Sequence, residues 1–164
     1  MHPFFPLFAQ AGVVAFQALW LSIAAFDNVR HSGLSEPVFT NVLRMGLVAK
    51  GDPAAFREVG YRRIENPRTD RLLFHMLVGA ETIVAILLWL GALALLLAAL
   101  GIVAQGVARS LATIAVLGFT AIWGTLIAGG MWFFERIGMA EAMGGHYVLT
   151  IWGVAVLIFL AVAP

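Results

Sequence analysis

From Ile83 to Ala104 the chain runs twenty-two residues without one charged or strongly polar side chain. A helix rises ~1.5 Å per residue, so about 20 apolar residues cross a hydrocarbon core roughly 30 Å thick. Lipid offers no hydrogen bonds to bare backbone, and a helix satisfies its own. The stretches Phe4–Phe26, Leu111–Phe134 and Tyr147–Ala163 come close to matching that run. The expectation is an all-α membrane protein: four transmembrane helices in an up-down-up-down bundle, with short extramembrane helices in the loop between spans one and two. The spans are placed at about 4–26, 71–99, 110–135 and 145–163, with a polar helical loop over 27–70, in one domain covering 1–164.

Composition narrows the function classes. Charged residues make up 12% and hydrophobic residues 62%, against about 25% and ~45–50% in soluble domains. The absence of Cys removes disulfides, thiolate metal sites and Cys nucleophiles together. A net charge of +1 gives no bulk attraction to nucleic acid, so none is expected as a partner. The first span lacks the basic n-region of a signal peptide and reads as a retained span. No Gly-rich phosphate loop, nucleophile elbow or metalloprotease helix occurs, so neither an enzyme nor a metal site is expected.

Asp27-Asn28 marks the exit from span one. In the loop behind it, Pro37 opens a segment with Val38, Phe39, Val42, Leu43 and Leu47 on one side, which predicts a short amphipathic helix. Asp52-Pro53 reads as an N-cap with Pro at N1, predicting a second helix over Ala54 to Tyr61. Asn66-Pro67 reads as a turn, with Thr69 or Asp70 capping span two. Nine of the ten Lys and Arg fall on the long-loop side and only Arg109 on the other. The positive-inside rule therefore places loop 27–70 in the cytoplasm.

Span one carries Ala11, Ala15, Ala18, Ser22 and Ala25 at alternating spacings of four and three. Span three has Gly124 and Ala128, with Gly129-Gly130 just beyond. Small-residue seams of this kind let helix backbones approach closely, either inside the bundle or against a partner subunit. Trp132 with Phe133-Phe134 sits where an aromatic belt belongs.

Glu81 is the ionisable residue well inside a span. Counted from Arg71 it lies ~15 Å deep, at a depth where Gln17 and Thr125 could hydrogen-bond it. Desolvation means such a carboxyl is neutral or paired. It reads first as a buried polar clasp, with proton or ion handling as the alternative. His75 and His146 open spans two and four on the same side. Two His at equal depth on different helices is how membrane b-type cytochromes hold a haem, so haem b or a quinone is the cofactor alternative to none. The plainer reading is interfacial His bonded to a carbonyl or headgroup.

Span two carries Gly79-Ala80-Glu81-Thr82 and then Leu88-Trp89-Leu90-Gly91-Ala92, and span three ends Gly129-Gly130-Met131-Trp132-Phe133. With Phe26-Asp27-Asn28 closing span one, the chain resembles the bacterial family of predicted small integral membrane proteins, a four-span domain of unknown function. The resemblance implies a bacterial inner-membrane location and gives Glu81 more than an incidental place. It supplies no activity. The family's link between spans two and three tends to be basic, which implies the opposite orientation; here that link holds only Arg109.

The functional expectation is a non-catalytic accessory subunit of a larger membrane complex, respiratory or photosynthetic, with lipid and other integral membrane subunits as partners. The alternatives are a haem- or quinone-binding electron-transfer subunit and a small proton-coupled transporter using Glu81.

Overall fold

The computed structural model describes residues 4–162. The expected end of span four at Ala163 lies outside them. Four long helices dominate: α1 (Phe4–Arg30), α5 (Pro67–Ala99), α6 (Gln105–Trp132) and α7 (Ala140–Val162). Each is long and apolar enough to cross a membrane. Three short helices lie between the first two: α2 (Ser32–Leu43), α3 (Gly46–Gly51) and α4 (Pro53–Val59), followed by a 3-10 turn at Gly60–Arg62. Among the described residues there is no strand.

Several boundaries differ from the sequence reading. Helix α1 does not stop at Phe26 but continues through Asp27-Asn28 to Arg30. Helix α2 begins five residues before Pro37 and ends at Leu43, so Leu47 belongs to α3. The break comes at Met45, which adopts a left-handed φ of 54°. Asp52 caps α4 as expected, accepting a hydrogen bond from the Ala55 amide at 2.9 Å. Span two starts at Pro67 rather than Arg71, because Asn66 itself is the N-cap, accepting from the Arg68 amide at 2.9 Å. Helix α7 begins at Ala140, ahead of Gly144-Gly145, since Ala140 to Met143 are good helix formers and Met143 buries its side chain.

Helix α1 packs chiefly on α5, α5 on α6, and α6 on α7, while α1 touches α7 only lightly. The dry core is drawn from Leu7, Val14 and Leu21 on α1, Leu88 and Leu95 on α5, Phe119 on α6, and Val156 and Leu160 on α7. The span-one seam faces this core: Ala11, Ala18 and Ala25 are buried, and Ala15 and Ser22 half-buried. The Ser22 hydroxyl donates to the Ala18 carbonyl at 2.7 Å and accepts the Trp89 indole N–H at 3.1 Å. That seam is internal packing.

The span-three seam is not a close approach. A methyl at Gly124 or Gly129 would meet nothing within 4 Å, and Ala128 is exposed. The tight contacts lie elsewhere. A Cβ on Gly91 would sit 2.9 Å from the Ala112 Cα, and one on Gly118 would sit 2.9 Å from a Val84 methyl. One on Gly153 would strike the Thr120 hydroxyl. Ala108, Ala112 and Ala115 are fully buried, Ala112 against Gly91 of α5, so small residues distributed over three helices set the backbone separation.

The polar cap is fastened to the bundle by charge and by shape. Arg44 reaches Asp70 at 2.7 and 3.0 Å, and the Asp70 side chain is only 3% exposed. Arg71 lies 3.7 Å from Glu36. The Arg62 guanidinium stands 4.8 Å from the Trp132 ring centre and 5.4 Å from that of Phe134, joining the cap to the end of α6. Cation–π contacts of this kind hold a cation at an aromatic belt.

Candidate binding cavity

The four long helices pack tightly over one half of their length and part over the other. Between them lies a cavity of about 1010 Å³. It gathers the C-terminal ends of α1 and α6 and the N-terminal ends of α5 and α7, with α2 laid across it through Leu34, Val38 and Phe39. Its walls are mainly aliphatic and aromatic, and its volume is at the upper end of the usual ~300–1,000 Å³ for a small-molecule site. Leu34 and Val38 are exposed at 75% and 52%, an arrangement that leaves apolar side chains at the mouth.

Glu81 opens onto this cavity and is 2% exposed. Fourteen residues from Pro67 put it ~21 Å along α5, well inside the helix. Its partner is not Gln17 or Thr125. The Asn28 amide donates to Glu81 Oε2 at 2.8 Å, which is possible because α1 continues past Phe26 and keeps Asn28 on a bundle-facing turn. Gln17 is fully buried in the dry half, and its amide has no hydrogen-bond partner among the described residues. Gln10, two turns earlier, donates to the Phe159 carbonyl at 3.2 Å. Thr125 lines the cavity without reaching Glu81.

His146 also lines the cavity, stacked on Trp123 with ring centres 5.6 Å apart and planes at 30°. Its Nδ1 and the Trp123 indole nitrogen are both buried without a hydrogen-bond partner among the described residues. Trp123 in turn packs edge-on against Trp20 and Phe119. His75 is exposed, leans on Phe74 and does not line the cavity, so the two histidines of the haem alternative are not brought to one cavity. Among the described residues no group of three His, Cys, Asp or Glu could hold a metal ion.

Two further polar groups line the cavity. Asn28 resembles an exit residue in the sequence, yet it lies inside α1 and reaches Glu81. Glu135 stands in the link after α6, 8% exposed, on the cavity wall against Gly130. The turn that places it uses a left-handed Phe134 (φ 57°) and a bond from the Glu135 amide to the Gly130 carbonyl at 2.8 Å. No hydrogen bond or ion pair reaches its carboxylate from the described residues.

Burial pushes the Glu135 carboxyl above its ordinary value. A folded-state value raised above the unfolded one favours folding when the group is protonated. That contribution is complete below the unfolded value and is lost as pH rises through the folded one. Amide hydrogen exchange at Ile137 and Met139 should therefore, after correction for intrinsic rates, show stronger protection at acid pH than at alkaline pH. Glu135→Gln should abolish the difference; a difference that survives the substitution would assign it to another group.

The family model described as predicted small integral membrane protein, a domain of unknown function, matches residues 7–163. No curated protein and no solved structure matches.

Proposed function

Because this chain belongs to the family of predicted small integral membrane proteins, we propose a function exercised inside the bilayer: non-catalytic binding of an amphipathic small molecule in the cavity between its spans. The observation that carries this reading is the cavity of about 1010 Å³, lined by all four spans and bearing only a few polar groups among its apolar walls. Close packing is the rule in protein interiors, and the other half of this bundle obeys it. An open apolar cavity of this size in the same molecule supports a ligand site.

The wider setting is also a proposal. An accessory role in a larger bacterial inner-membrane complex fits a binding protein without a catalytic group, and the mixed-charge cap over residues 27–70 offers such a complex a polar face. Gly129 lines the cavity rather than forming a close-packed seam, so a partner would be held through other surfaces. Alternating helix directions are supported by the gathering of C-terminal ends of α1 and α6 with N-terminal ends of α5 and α7.

Native nanodiscs, extracted and examined by mass spectrometry, test the reading. The protein should co-purify with an amphipathic small molecule. Ala121→Trp, which fills the cavity wall, should release it while leaving the elution volume unchanged. Equal recovery of every small molecule from Ala121→Trp and the unaltered protein would remove the cavity as the site.

A further inference from the structure

The charge lining the cavity is one-sided. Asp27, Glu81 and Glu135 face it, and no Lys or Arg among the described residues does. The loop side of the protein is rich in Arg, and five of those side chains are engaged elsewhere: Arg44 with Asp70, Arg63 with Glu65, Arg71 with Glu36, and Arg62 and Arg136 over aromatic rings. Two of the three acids are more than nine-tenths buried. Glu81 has one amide donor, and Glu135 has no partner among the described residues.

A carboxyl group in an apolar wall is costly to leave charged unless a cation or several donors face it. The remaining walls suit a cation as well. Phe133 lines the same space, and the negative face of such a ring attracts an organic cation. An anionic or phosphate-bearing headgroup would find no Lys or Arg there, only the His146 imidazole, and three acids against it. Opposite charge and an apolar shell therefore select the same ligand class.

Resting on the cavity reading above, we propose that the cavity selects lipophilic organic cations, ammonium or phosphonium centres on bulky apolar bodies, with Glu81 as the principal counter-charge and Glu135 as the second. The Asn28 amide holds the Glu81 carboxylate in place and leaves its other oxygen for the ligand. Val84, Gly118 and Ile122 receive the apolar body.

Tetraphenylphosphonium and tetraphenylborate share shape and apolar surface and differ in the sign of charge, so they separate charge selection from cavity filling. Equilibrium binding of each ion is measured on the full chain in nanodiscs, with empty nanodiscs subtracted. The phosphonium should bind at least about tenfold more tightly than the borate, and Glu81→Gln should remove most of that difference. Glu135→Gln, at the cavity edge, should weaken phosphonium binding by a smaller factor and serves if Glu81→Gln fails to fold. Equal or tighter binding of the borate to the unaltered protein overturns the charge inference. If Ala121→Trp blocks both ions in that case, the cavity reading still stands. Binding of neither ion overturns the inference too, and the nanodisc extraction then decides the cavity reading separately.

Discussion

Gly91→Leu will abolish monodisperse elution of the detergent-solubilised protein, and Gly91→Ala will lower its thermal midpoint. The reason is the atom that the new Cβ meets. At 2.9 Å it would strike the Ala112 Cα, which is backbone and cannot rotate away. Helices α5 and α6 would have to separate, carrying Leu88, Leu95, Val116 and Phe119 out of contact. Overpacking a core costs ~1–3 kcal/mol, while alanine in place of glycine returns about 1 kcal/mol of helix propensity. The net for alanine is a modest loss, and for leucine the steric term dominates. Gly79→Ala is the control: it lies on the same helix, and its Cβ would meet nothing within 4 Å. That variant should be neutral or slightly stabilising. If Gly91→Ala behaves like Gly79→Ala, the close approach of α5 and α6 does not hold the bundle.

The second large effect belongs to the cap. Arg44→Ala removes the partner of a carboxylate whose side chain is 3% exposed. Breaking a buried pair from one side costs ~3–5 kcal/mol, because the surviving charge stays buried and alone. Arg44 itself is 45% exposed, so water screens part of the interaction and about 1–3 kcal/mol is the fitting figure here. The loss should fall on the cap rather than the spans. Trypsin should cut faster after Lys50, Arg57 and Arg63, while the long helices keep their helicity. Asp70→Leu in the same background should restore resistance by removing the stranded charge. Proteolysis rates unchanged by Arg44→Ala would mean that the apolar contacts of Leu43, Met45 and Val48 fasten the cap unaided.

The four spans were legible because apolar length is a one-dimensional signal, and no tertiary contact is needed to read it. Helix α4 was legible for a similar reason: Asp52 and Pro53 act on their own backbone. The ends of α1 and α2 were not. Asp27-Asn28 resembles an exit by polarity, yet the helix runs on to Arg30, and the Asn28 side-chain amide reaches Glu81, fifty-three positions away. Pro37 resembles a helix start, yet the helix begins at Ser32 and carries it inside. The candidate site was half legible. Glu81 and His146 stood out as polar residues in apolar helices. Their neighbourhood did not, because it depends on which faces of α1, α5, α6 and α7 turn toward one another. Glu135 escaped for the same reason: its burial comes from a left-handed turn at Phe134 that no residue type at that position announces. The span-three glycines misled in the other direction, since spacing reports which residues share a face and not whether a second helix occupies it.

Helix α5 is thirty-three residues long and α7 twenty-three. From Leu72 to Ala99, α5 is largely apolar over ~42 Å, against a hydrocarbon thickness of roughly 30 Å. The two lengths cannot both match one bilayer upright. Helix α5 must lean, or the surrounding lipid must stretch around it, and each response carries a mismatch energy that falls as acyl chains lengthen. The protein should accordingly concentrate in the thicker patches of its membrane, and acyl-chain length becomes a variable that sets where it resides.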